Sequence, residues 1–133
     1  MKTIFILDNN SSHQKEMTEH LVAMGFGVRL ILNAAELEDV SERPFTIILD
    51  EKMMDLKMVC KKMSRAPVIY MVSKSDKKVI HDAKKAGAYE VIEKNVATFV
   101  NLRTTLDKLE IEPASNWFKR VFRMKLAITY GLS

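Results

Sequence analysis

Four short apolar runs in this chain each stop at a polar residue able to take part in chemistry. Ile4-Phe5-Ile6-Leu7 ends at Asp8, Ile47-Ile48-Leu49 at Asp50, Val68 to Val72 at Ser73, and Val91-Ile92-Glu93 at Lys94. Short continuous apolar runs are the pattern of strands buried on both faces of a parallel sheet. In an open α/β sheet, ligands bind beyond the carboxyl ends of the strands. Two carboxylates, a hydroxyl and an ammonium are therefore expected around one crevice.

The segments between the runs carry helical spacing. Met17, Leu21 and Met24 recur from a Ser11-Ser12 cap to a stop at Gly25. Val28 to Leu32 reads as the second strand, and Asn33 with Glu36 three residues on as a capping pair opening a short helix that ends before Pro44. Phe45 to Leu49 is the third strand. Only residues 51 to 66 then precede Pro67 and the fourth strand, near the lower limit for a crossover between parallel strands, and Leu56, Val59, Cys60 and Met63 fit one compact helix there. A Ser75 cap, Ile80, Ala83 and a terminating Gly87 define helix four. Tyr89 to Glu93 is the fifth strand, its Glu90 and Glu93 suiting a sheet edge. Asn95 is the expected cap of helix five, whose inner face carries Phe99, Leu102, Leu106 and Leu109. Five strand–helix alternations with right-handed crossovers predict an α/β, doubly wound, five-stranded parallel sheet in the order 2-1-3-4-5.

A chain of 133 residues is one domain by length and can bury a core without disulfides. With 47% apolar and 29% charged residues it has an ordinary globular composition. The four apolar residues between Met1-Lys2 and Asp8 are too few for a signal-peptide core or a membrane span, so a cytoplasmic location is expected. Cys60, the single cysteine, is expected to act as a small hydrophobe. The net charge of +4 is local to one end: Lys119, Arg120, Arg123 and Lys125 follow residue 114, where no acid occurs, leaving 17 basic against 17 acidic residues before it. A nucleic-acid surface needs clustered positive charge on a face, so no nucleic-acid partner is expected.

The first turn narrows the chemistry. Asp8-Asn9-Asn10-Ser11-Ser12 has no glycine to let backbone amides approach a phosphate, and it opens with an acid. A carboxylate tolerates a phosphoryl group only with a cation between them, which favours Mg²⁺. His13, His20 and His81 fall on solvated helical faces and form no metal or triad pattern, and the methionines are core filler. Lys77-Lys78 and Lys84-Lys85 read as solvated helix surface.

Residues 2 to about 110 resemble the receiver domain of two-component response regulators, a flavodoxin-like fold. The resemblance rests on Leu7-Asp8-Asn9, Asp50 with Met53 three residues later, Ser73, Ala86-Gly87-Ala88, and Lys94. It implies that Asp50 accepts a phosphoryl group from a kinase phosphohistidine, without the chain being an enzyme in the ordinary sense. It also implies a Mg²⁺ held by Asp8, Asn9, Asp50 and the main-chain oxygen of Lys52, with Lys94 and Ser73 contacting the phosphoryl oxygens. Several positions depart from the family. Asn9 stands where a second acid is usual, Met54 and Leu56 replace a proline and a glycine, and Lys74 replaces a small residue. Val91 replaces the switch aromatic, and Asn95 a proline. Two functions therefore stay open: a single-domain regulator phosphorylated on Asp50, signalling through protein contacts with a histidine kinase or phosphotransfer protein and a downstream partner, or a phosphorylation-independent pseudo-receiver acting as an interaction module.

Residues 113–133 form an expected extension to the 1–112 unit. After Pro113, Ser115 can cap a helix with Trp117, Phe118, Val121, Phe122, Met124 and Ile128 on one arc, and Lys119, Arg120 and Arg123 opposite. Such a helix is expected to dock on this domain, or on a second copy through the helix-four to helix-five face. The alternative is an anionic membrane surface.

Overall fold

The computed structural model describes residues 1–112, so the expected carboxyl-terminal helix lies outside the described residues. Ten elements alternate: β1 (Thr3–Leu7), α1 (Ser11–Ala23), β2 (Gly27–Leu30), α2 (Ala34–Asp39), β3 (Thr46–Asp50), α3 (Leu56–Lys62), β4 (Val68–Val72), α4 (Lys77–Ala86), β5 (Glu90–Glu93) and α5 (Thr98–Ile111). The strands form one parallel sheet in the order β2-β1-β3-β4-β5, as the alternation requires.

Register follows from burial. β1 and β3 are interior strands with almost every side chain covered, so a slip would push apolar residues into water. Leu7 pairs with Leu49, which sets Asp8 level with Asp50 at the top of the sheet. Asp50 pairs with Met71 and Val72 with Glu93, so the next residue of each strand, Ser73 and Lys94, emerges at the same edge. One apolar layer packs Ile4, Ile6, Ile48, Met71 and Ile92 against α1 and α5. The other packs Phe5, Leu7, Ile47, Leu49 and Val68 against α2, α3 and α4. Alternate residues of each strand thus feed opposite layers.

Several helix starts differ from expectation. Asn10 caps α1, accepting from the His13 N–H at 3.0 Å, in place of the serines. Asp76, not Ser75, caps α4 by accepting from the Val79 N–H at 2.9 Å. Asn95 makes a turn two residues before the cap of α5, taking the Ala97 N–H at 2.8 Å, while the N-cap position is Ala97, without a side-chain bond. At α1 and α4 a neighbouring Asx or Ser competes for the same amides, and the residue with its oxygen three residues before the free N–H wins. The Asn33–Glu36 pair behaves as expected: Asn33 Oδ1 accepts the Glu36 N–H at 2.9 Å and Glu36 reaches back to the Leu32 N–H. The second strand closes at Leu30, where the chain reaches the sheet's exposed edge. Cys60 is half-buried against Gly87, and burial pushes its thiol up to about 11, so it packs as a hydrophobe. No helix among the described residues is long and apolar enough to cross a membrane.

Gly87 ends α4 at φ +116°, and a Cβ there would sit 3.0 Å from Cys60 Cβ on α3. Gly25 ends α1 at φ +93° with nothing within 4 Å of its Cβ position. Alanine at Gly25 meets only the left-handed backbone cost of about 1 kcal/mol, whereas alanine at Gly87 adds a clash and costs about 2–3 kcal/mol. Urea unfolding of the two variants measures the difference, and equal losses would show that Cys60 yields freely.

Candidate functional site

Because β3 is central and Asp50 is its last residue, the Asp50 carboxylate is lifted to the sheet's carboxyl edge yet remains only 4% exposed. A buried carboxylate is costly unless its oxygens find donors. Here Oδ1 accepts the Lys52 N–H at 2.9 Å, and Oδ2 accepts Lys94 Nζ at 2.6 Å. Lys94 is held in turn by its neighbours. The Thr98 hydroxyl, at the start of α5, lies 3.1 Å from the Glu93 carbonyl oxygen and 2.8 Å from that of Asn95, bracketing the lysine, and the Lys94 N–H extends the ladder to the Val72 carbonyl oxygen.

Asp8 stands beside this pair. Its Oδ1 accepts the Asn10 N–H at 2.9 Å, and its Oδ2 lies 3.6 Å from His13 Nδ1. Asn10 caps α1 immediately after this turn, which is what brings His13, in the helix's first turn, over the carboxylates. One ligand atom each from Asp8, His13 and Asp50 lies within 4.8 Å of the others. Two unit negative charges 4.8 Å apart repel by roughly 3 kcal/mol at an effective dielectric of 20. Lys94 offsets one of them, so the three groups keep one negative charge, and the donor set fits a divalent cation. Beneath it a cavity of about 270 Å³ opens between α1 and α5, with Asp8, His13, Asp50 and Lys94 at its polar side and Met17 and Phe99 on its apolar wall.

Other expected site residues stand apart. Asn9 is exposed and does not line the cavity, and neither do Lys52 and Ser73. Ser73 is engaged elsewhere: its N–H donates to Glu51 Oε1 at 2.7 Å, and its hydroxyl beside the same carboxylate helps to hold Glu51 below the usual carboxylate range. One step along, the Ser75 N–H donates to Glu93 Oε1 at 2.8 Å. That contact, with Asn95 Nδ2 on the other oxygen, lowers Glu93 as well. The β4–α4 loop is thus clasped from both flanking strands. Lys74 between these serines is exposed, and Val91 sits beside Tyr70 on β4. Burial, then the charges of Glu51, Asp55 and Asp50, raise the Tyr70 phenol above its ordinary value.

Sequence reasoning passed over His13, Glu51, Glu93 and Thr98. The signal for Glu51 was present: side chains alternate along a strand, so the residue after Asp50 must turn away from the cleft, toward the β4–α4 loop. His13 was legible only with the cap placed at Asn10, since an expected Ser11-Ser12 cap shifts the first turn.

No known family model matches this chain, and no curated protein matches its sequence. Solved structures do resemble it. A two-component response regulator from Clostridium difficile shares 19% identity over 84% of this chain and 98% of its own, with a TM-score of 0.74. The receiver domain of a sensor histidine kinase from Pseudomonas aeruginosa, with magnesium in its active-site cleft, shares 16% identity over 80% and 95%, TM-score 0.68. A response regulator protein from Burkholderia pseudomallei, with a phosphorylated aspartic acid and a calcium ion, shares 16% over 100% and 88%, TM-score 0.66. At these identities the likeness is one of fold: the chain has the doubly wound fold of response regulator receiver domains.

Both clasping carboxylates are lowered in the folded state, so their contribution to loop order is present above their ordinary value of 4.5 and is lost as pH falls through the lowered values. The Ser73 and Ser75 amide proton resonances are expected to move together with carboxylate titration below pH 4.5, and Glu51→Gln to abolish the Ser73 inflexion alone. A Ser73 amide that titrates at or above 4.5 would contradict the clasp.

Proposed function

We propose that this chain is a cytoplasmic receiver that accepts a phosphoryl group on Asp50 from a phosphohistidine and signals through protein contacts. The observation that carries the reading is the 2.6 Å bond from Lys94 to a nearly buried Asp50, with Asp8 alongside, at the carboxyl edge of the sheet. An Asp50 oxygen forms the new O–P bond as the N–P bond of the phosphohistidine breaks, and the histidine nitrogen takes the electron pair and a proton. Lys94 neutralises charge on the phosphoryl oxygens as a point charge. Asp8 and Asp50 would hold Mg²⁺, which supplies further neutralisation of charge growing on the equatorial oxygens. Ser73 turns its hydroxyl from Glu51 to a phosphoryl oxygen, and the loop follows. The partners are then a histidine kinase or phosphotransfer protein and a downstream protein, with a second copy engaged through the α4–β5–α5 face.

A second reading has its own support. Both donors of Ser73 already meet Glu51, and Asn9 lies outside the cavity, an arrangement that suits a pseudo-receiver locked in one state and acting by binding alone. Acetyl phosphate with Mg²⁺ separates the two. Phosphoacceptance predicts a mass gain of one phosphoryl group that maps to Asp50, vanishes in Asp50→Asn, and forms about a hundredfold more slowly in Lys94→Ala, the scale of losing one preorganised charge-stabilising donor. No gain on Asp50, and no spectral change with beryllofluoride, would favour the pseudo-receiver.

A further inference from the structure

We propose that the cation in this cleft is bound by Asp8, Asp50 and His13 together, and that the imidazole makes the site select a first-row transition dication of the Zn²⁺ kind over Mg²⁺. The inference rests on the functional reading only in taking the cleft to hold a cation, and it does not require Asp50 to be phosphorylated.

Geometry comes first. His13 Nδ1 and one oxygen from each of the two carboxylates lie within 4.8 Å of one another, close enough for one ion to reach all three after small side-chain rotations. The 3.6 Å between His13 Nδ1 and Asp8 Oδ2 exceeds a hydrogen bond, so the ring nitrogen faces the carboxylate without being spent on it. The placement is built in from the backbone outward. The His13 N–H is fixed by Asn10 Oδ1, and Asp8 Oδ1 by the Asn10 N–H, so a single asparagine sets both groups. The Gln14 side chain bonds the Asp8 main-chain oxygen, and the Lys52 N–H orients Asp50. These are the outer contacts that orient metal ligands.

Donor chemistry comes second. Mg²⁺ takes oxygen ligands in near-ideal octahedral geometry, whereas imidazole suits Zn²⁺ and its neighbours in the first transition row. The residue following Asp8, Asn9, is exposed and away from the cavity, so the third protein donor facing the cleft is a nitrogen rather than a third carboxylate. With Lys94 on Asp50, the carboxylates keep one net negative charge, and a neutral imidazole adds affinity without adding charge. The open cavity leaves room for water at the remaining positions.

Calorimetric titration of the untagged chain with Zn²⁺ and with Mg²⁺, together with imidazole ¹⁵N spectra, tests this. Zn²⁺ is expected to bind more tightly than Mg²⁺ and to shift the His13 ring nitrogens. His13→Ala, at an exposed position whose cap bond is made by the backbone, is expected to weaken Zn²⁺ by at least about tenfold, since losing even an outer-shell partner costs that much. Mg²⁺ affinity should stay within about twofold, because its oxygen ligands remain. Unmoved His13 nitrogens, or Zn²⁺ affinity equal in wild type and His13→Ala, would overturn the proposal, as would Zn²⁺ shifts confined to His20 or His81. Phosphorylation is read separately. A Zn²⁺ site that needs His13 in a chain giving no phosphoryl gain on Asp50 upholds this inference and removes the phosphoacceptor reading. A phosphoryl gain with His13 silent to Zn²⁺ does the reverse.

Discussion

Asp50 is a carboxylate that the sheet forces out of water. It belongs to a central strand covered on both faces, and its pairing with Met71 leaves it 4% exposed. Removing a charge from water costs several kcal/mol, and the cost is met only where donors reach both oxygens. Lys94 and the Lys52 amide do so. Lys94 arrives because β5 joins the sheet one strand beyond β4 and ends level with it, and Thr98 then holds the backbone on either side. The register of four strands and the start of α5 therefore converge on one buried ion pair. A shift in any of them would leave an uncompensated charge inside the sheet.

That dependence explains why so much of the architecture was legible before any coordinates. Apolar runs of four or five residues can be strands buried on both faces or buried helix, and here Asp8, Gly25, Pro44, Pro67 and Gly87 bound them at lengths only strands fit. The strand order follows from alternation and handedness, and the convergence of positions 8, 50 and 94 follows from the order. What was not legible lies at the resolution of a single residue. Helix caps were misplaced at α1 and α4 because Asn10 and Asp76 stand beside serines with the same capacity, and sequence does not say which oxygen meets the free amide. The error at α1 had a functional consequence, since it concealed that His13 sits in the first turn above Asp8.

Ser73 shows what the sequence leaves open about the state without a phosphoryl group. Its position at the end of β4 was legible, and its hydroxyl is expected on a phosphoryl oxygen only once that group is in place. Without that group a hydroxyl beside a sheet edge takes the nearest strong acceptor, and a carboxylate is stronger than water for this purpose. Glu51 provides it, because the pleat that points Asp50 into the cleft points the next residue out toward the loop. The same pleat that turns one acid into the cleft makes a clasp of its neighbour.

The clasp sets the energy scale on which the loop must respond. The loop is held by hydrogen bonds to ionised carboxylates at both Ser73 and Ser75, where water competes for the same groups. A phosphoryl group on Asp50 moves Ser73 only by its differential interaction with the two loop positions. A dianionic phosphoryl group offers more charge to the Ser73 hydroxyl than the Glu51 carboxylate does, but Lys94 and any bound cation draw on the same oxygens. Only one of the two clasps has to yield, for Glu93 holds Ser75 through an oxygen on the far strand and is itself tied to Asn95. The two clasps are therefore separable: Ser73 is tied to Glu51 beside β3, and Ser75 to Glu93 on β5.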